Sequence, residues 1–217
     1  MEMTEETMDA IKYSVALFND IKSRTYVKAG DDVDYDIDLD HEKKMITLYF
    51  EETTTKRDWR NNFRFGVKVY KNQQSCIRAH RGYANAYKTV NDRIMNEMKL
   101  AMERFPDYHI TITGWSYGGA MAVLAAEDFF FRFKKVPFLM TFGAPKVIFG
   151  RKAAAYINSV TTCVQFKQWN DLVTYLPPFP GYRHIHSGRI GKALNLIELC
   201  RPEIHHCEYG DISIYGC

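Results

Sequence analysis

No apolar run in the 217-residue sequence approaches the roughly 20 residues that a bilayer-crossing helix needs, so no integral membrane segment is expected. Charge of one sign is also lacking. Lys and Arg number 29 against 26 Asp and Glu, a formal net charge of +3, and the two signs are mixed throughout. That pattern argues against a dedicated nucleic-acid surface. The five cysteines, at 76, 163, 200, 207 and 217, are odd in number and contain no Cys-x-x-Cys spacing. A reduced protein is the simplest expectation, with a Cys200 to Cys217 or Cys207 to Cys217 bridge as the alternative. The start, Met1-Glu2-Met3-Thr4-Glu5-Glu6, is acidic and lacks the basic segment and apolar stretch of a signal peptide, so a cytoplasmic location is expected. Repeats, low-complexity tracts and linkers are absent. Pro177-Pro178-Phe179-Pro180 reads as a loop inside a single domain spanning 1–217.

What the chain does have is Gly114-Trp115-Ser116-Tyr117-Gly118. Before it, Tyr108 to Thr113 alternates apolar and polar residues and is rich in β-branched ones, a strand pattern. After it, Ala120 to Ala126 reads as a helix, continuing to about Phe133. Gly-x-Ser-x-Gly between a strand and a helix is a nucleophile elbow. The turn is so tight that flanking side chains would clash, and the serine is held out beside a helix N-terminus that favours negative charge.

Other elements follow from periodicity. Thr4 to Arg24 reads as a helix capped by Thr4, with Met8, Ile11, Val15, Phe18 and Ile21 on one face. Asp32 to Asp40 places aspartate at alternate positions with Val33, Tyr35, Ile37 and Leu39 between, a half-buried strand with an acidic outer face. A calcium loop there would need a turn glycine and a terminal Glu, and both are missing. Met45 to Phe50, Phe65 to Tyr70, Phe138 to Phe142 and Thr161 to Phe166 are further strands. Tyr83 to Phe105 is a long helix and Arg151 to Asn158 a short one. Strands alternating with helices predict an α/β fold, a mainly parallel central sheet with helices on both faces.

A serine hydroxyl needs a base to take its proton, and the base needs an acid to fix its tautomer. In the α/β-hydrolase arrangement the order is Ser, acid, His, so both partners should follow Ser116. Asp171, just past the strand that ends at Phe166, is the acid candidate; a turn-forming aspartate is the plainer reading of it. Glu127 and Asp128 lie on the elbow helix and cannot face the serine. His184, His186, His205 and His206 are the base candidates. His-x-His and His-His-Cys also suit zinc, but no His-x-x-x-His or Cys-x-x-Cys pair accompanies them. No metal or cofactor is expected.

These motifs together resemble the class 3 lipase family, fungal-type triacylglycerol lipases and related esterases. Ala79 to Tyr87, Thr113 to Ala120, Thr141 to Val147, Asn170-Asp171 with Leu176-Pro177-Pro178, Tyr182-Arg183-His184 and His206-Cys207-Glu208-Tyr209 match its segments in order. The resemblance implies an α/β-hydrolase fold and a serine carboxylic-ester hydrolase with the triad Ser116, Asp171 and His206, His205 being the fallback base. It implies an oxyanion hole from the Tyr117 N–H and Thr53. Phe50-Glu51-Glu52-Thr53 departs from the family's usual Phe-Arg-Gly-Thr or Ser, and Trp115 and Tyr117 replace its usual His and Leu. The matching lid, Thr54 to Phe63, offers only Trp59 and Phe63 as large apolar residues, which with Trp115 would border the substrate. So polar a lid points to small or soluble esters rather than a lipid interface. The alternatives are a catalytically silent binding protein on this fold, or an amidase or acyltransferase using the same triad.

Overall fold

The computed structural model describes residues 5–28, 33–52, 67–71, 76–168 and 171–185. In chain order the elements are α1 (Glu5–Ser23), β1 (Val27–Lys28), β2 (Asp34–Asp40), β3 (Met45–Phe50), β4 (Val67–Lys71), β5 (Cys76–His80), α2 (Arg81–Arg104), β6 (His109–Trp115), α3 (Tyr117–Phe133), β7 (Phe138–Phe142), β8 (Ile148–Phe149), α4 (Arg151–Val160), β9 (Thr162–Phe166), a 3₁₀ turn (Leu172–Tyr175) and β10 (Tyr182–Arg183).

Six strands form the central sheet in the order β1-β2-β3-β6-β7-β9. β3, β6, β7 and β9 run parallel, and β1 and β2 extend the edge antiparallel. Strands buried on both faces carry near-continuous apolar runs, and β3 (Met-Ile-Thr-Leu-Tyr-Phe) and β7 (Phe-Leu-Met-Thr-Phe) do so. On one face Ile46, Leu48, Ile112 and Leu139 pack with Tyr87, Ile94, Met98, Leu124 and Phe129 of α2 and α3. On the other, Tyr49, Trp115, Met140 and Phe142 pack under Leu17, Phe18 and Ile21 of α1. α1 is also tied down by Arg24 just beyond it. The Arg24 guanidinium lies 2.7 Å from Asp36 and 3.9 Å from the centre of the Tyr49 ring. The acidic face of β2 is therefore partly engaged in ion pairs.

The expected α/β-hydrolase architecture is present, with two refinements. β4 does not join the central sheet. It belongs to a second, antiparallel sheet of order β10-β8-β5-β4. α2 starts at Arg81, before Tyr83, because the buried His80 caps it: its Nδ1 accepts from the Tyr83 N–H at 3.4 Å. Histidine is outside the usual set of capping residues, so the sequence carries no start signal there.

Candidate active site

Ser116 follows β6 directly and begins α3 with φ 56° and ψ −122°, a left-handed backbone that a residue with a side chain adopts only under constraint. The constraint is visible. A Cβ on Gly114 would lie 2.4 Å from the Gly118 carbonyl carbon, and one on Gly118 would lie 2.4 Å from the Phe50 oxygen. Gly119 packs equally closely against Ala144, where a Cβ would meet the alanine methyl at 2.8 Å. The Ser116 N–H donates to Phe142 O at 2.9 Å, and Ala120 N–H donates to Ser116 O at 3.2 Å. Strand, turn and helix are thus locked around a serine that stays 8% exposed. α3 has no side-chain cap and no acid in its first turn, so its start presents backbone amides and an uncancelled dipole.

Phe50 pairs in register with Gly114, and β3 exits across the elbow. The Glu51 carboxyl is hydrogen-bonded to Asp34 of β2, on the side of β3 away from β6. Burial first, and then the hydrogen bond and repulsion from Asp34, push it up to about 7. Near neutral pH Glu51 therefore carries only part of its charge. Thr53, Trp59 and Phe63 lie outside the described residues.

Trp115, Phe142 and Phe166 stand in one row across β6, β7 and β9. Asp171 lies five residues beyond that row, past the end of β9, which is two strand spacings, about 10 Å, from β6. Asp171 is fully buried and caps the 3₁₀ turn, accepting from the Val173 N–H at 3.0 Å. His184, which the resemblance leaves as a structural or pocket-lining residue, has a structural part here. Its Nε2 lies 2.8 Å from Thr174 O, and because a carbonyl only accepts, that nitrogen carries the proton. Thr174 Oγ1 in turn donates to Asp171 O at 2.8 Å, so His184 braces the turn that carries Asp171. His205 and His206 lie outside the described residues.

The Tyr117 ring lies 5.8 Å from that of Tyr83, which sits 4.2 Å from His80, so the elbow helix rests on an aromatic stack at the start of α2. Trp115 turns its ring into the smaller core, edge-on to Phe18 at 5.3 Å. Glu127 and Asp128 are buried ten or more residues along α3 from Ser116. Asp128 is bonded there to Tyr87 at 3.1 Å and Arg132 at 2.9 Å.

Among solved structures, this arrangement matches a triacylglycerol lipase described as having a serine protease triad at its catalytic centre. The TM-score is 0.73 at 21% identity, over 87% of this chain and 81% of that one, a likeness of fold. In sequence, the chain is 32% identical over 155 residues to secreted mono- and diacylglycerol lipase A of Penicillium cyclopium, covering 69% of this chain and 48% of that one. It is 32% identical over 149 residues to secreted mono- and diacylglycerol lipase 1 of Fusarium solani, covering 67% and 43%. The chain therefore spans less than half the length of these curated relatives. The cytoplasmic location expected from the acidic N-terminus is overturned by them: both are secreted proteins, which points outside the cell. The family model for lipase (class 3) matches residues 47–180, the larger part of the chain, and the protein belongs to that family.

Proposed function

We propose that this protein is a serine carboxylic-ester hydrolase acting outside the cell, with residues 1–217 forming one α/β-hydrolase domain. The strained Ser116, clamped between glycines whose replacement would collide with backbone, is the observation that carries this reading. Ser116 Oγ attacks the ester carbon while His206 takes its proton, and the carbonyl electrons move onto oxygen. The Tyr117 N–H and Thr53 stabilise that oxyanion. Collapse breaks the bond to the leaving alcohol, which receives the proton from His206. Water repeats the sequence on the acyl-enzyme, releasing the acid and restoring Ser116. Asp171 holds His206 in the required tautomer.

Two features support a working oxyanion site despite the altered Phe50-Glu51-Glu52-Thr53 segment. β3 exits over the elbow, and Glu51 is engaged with Asp34 and partly neutralised. For substrate, the sparse apolar content of the lid around Trp59 and Phe63 favours short or dispersed esters, including partial glycerides of the kind the secreted relatives are named for.

Fluorophosphonate labelling with peptide mapping tests the reading. Label is expected on Ser116 and lost in Ser116→Ala. A folded, unlabelled wild-type protein would instead mark a silent binding protein. On a short triglyceride, the rate is expected to rise smoothly through the solubility limit. A jump on emulsion formation would refute the soluble-ester preference.

A further inference from the structure

A cavity lies far from Ser116. It opens between the C-terminal end of α3 and the N-terminal end of α4, against the second sheet, with a volume of about 710 Å³. α3 is 17 residues long, so about 25 Å of helix separates this cavity from the elbow. The volume falls in the range of about 300–1,000 Å³ usual for small-molecule sites.

The lining has a consistent chemistry. Ile77, Phe131, Phe149 and Tyr156 supply apolar and aromatic walls. Arg78, Lys134, Arg151 and Lys152 supply four cations, and no carboxylate lines the cavity. Among the described residues none of the four is paired with an acid. The Lys134 ammonium sits 4.6 Å from the centre of the Phe131 ring, over an aromatic wall. The start of α4 adds to the positive field. Gly150 holds φ 99°, no side chain caps the helix, and its first turn contains no acid. The first-turn amides, which have no intrahelical acceptor, belong to Arg151, Lys152 and Ala153, all lining the cavity. With a net charge of only +3 on the whole chain, four unpaired cations around one groove are a local concentration.

We propose that this groove binds a carboxylate-headed alkyl chain. A bare anion would make no use of the aromatic walls, and a neutral chain would make no use of the cations. An amphiphilic anion uses both, with its head on Arg78 and Arg151 and its chain along Phe131 and Phe149. This is also the chemical class of the acid that ester hydrolysis releases. That link rests on the proposed function, while the site itself does not.

Laurate below its micelle concentration is the probe, titrated calorimetrically into Ser116→Ala, which cannot form an acyl-enzyme. One laurate per chain is expected, bound at least tenfold more tightly than dodecanol and weakened by added salt. Arg78→Gln with Arg151→Gln, two exposed side chains, should weaken laurate at least tenfold with an unchanged thermal transition. Equal affinity for dodecanol, indifference to salt, unchanged laurate binding in the double variant or no saturable binding would each overturn the proposal. The two readings fail separately: label on Ser116 without laurate binding removes only the groove, and laurate binding without label removes only the hydrolase.

Discussion

At Ser116 stability and the proposed chemistry pull in opposite directions. A left-handed backbone at a residue with a Cβ costs on the order of 1–3 kcal/mol, and here the surrounding turn enforces it. Ser116→Gly should therefore remove all hydrolysis yet raise stability by about 1 kcal/mol, once the extra chain entropy of glycine is subtracted. Gly118→Ala should do the reverse to stability. Its new methyl would overlap the Phe50 and Glu51 carbonyl oxygens, which are backbone and cannot swing aside. A loss of about 3 kcal/mol or more is expected in chemical denaturation. Stability unchanged in both variants would mean that the elbow is not under the strain its dihedrals indicate. This residue-scale feature was legible because it is local: five consecutive residues hold the glycines, the serine and the turn. That Gly119 lets α3 pack closely was legible too, but its partner Ala144 was not, because the contact joins the first turn of α3 to the loop after β7, which only the fold brings together.

Among the elements, the 3₁₀ turn after β9 carries the most functional weight per residue. It holds Asp171 by three bonds: Asp171 to the Val173 N–H, Thr174 Oγ1 to Asp171 O, and His184 Nε2–H to Thr174 O. Capping by Asp171 and its proposed catalytic role can be separated. Asp171→Asn keeps an oxygen for Val173 but removes the charge, so a purely structural aspartate would leave kcat almost unchanged. A triad aspartate should lose three to four orders of magnitude in kcat, the scale seen when a serine-protease triad is given the wrong tautomer. His184→Ala should cost a smaller factor, about tenfold, with most of the thermal stability kept, since it acts only by positioning. The long periodic elements were readable because their patterns repeat. β3 and β7 lie where the sequence reading put them, and α3 ends at Phe133 as expected. The second sheet was not. Of its strands only β4 was expected: β8 and β10 have two residues each, too short for a pattern to emerge, β5 (Cys-Ile-Arg-Ala-His) carries two polar residues among five, and their pairing is long-range.

For the molecule as a whole, the two helical layers put the candidate site at one end of the sheet and leave its acid response to buried groups elsewhere. His80 is fully buried at the start of α2, and burial pushes its pKa down from 6.5 to about 4. Below about pH 6.5 the unfolded chain takes up a proton that the folded ring refuses until about pH 4. Stability is therefore lost as the pH falls through that window, by roughly 3 kcal/mol in all. Glu51 and Asp128 act in the opposite sense, since their folded carboxyls hold protons more tightly than in the unfolded chain, chiefly through burial. Their contribution means that the net pH profile of the wild type would not isolate His80. The comparison that does is with His80→Asn, which keeps a capping acceptor for the Tyr83 amide but does not titrate. At pH 7 the variant should be less stable, having lost the stack on Tyr83. Its deficit should shrink between pH 6.5 and pH 4, and could change sign, because only the wild type loses stability through this site as the solution is acidified. Parallel curves for the two proteins across that range would show that His80 takes up its proton in the folded state as readily as in the unfolded one, and that its burial does not set the acid limit of the fold.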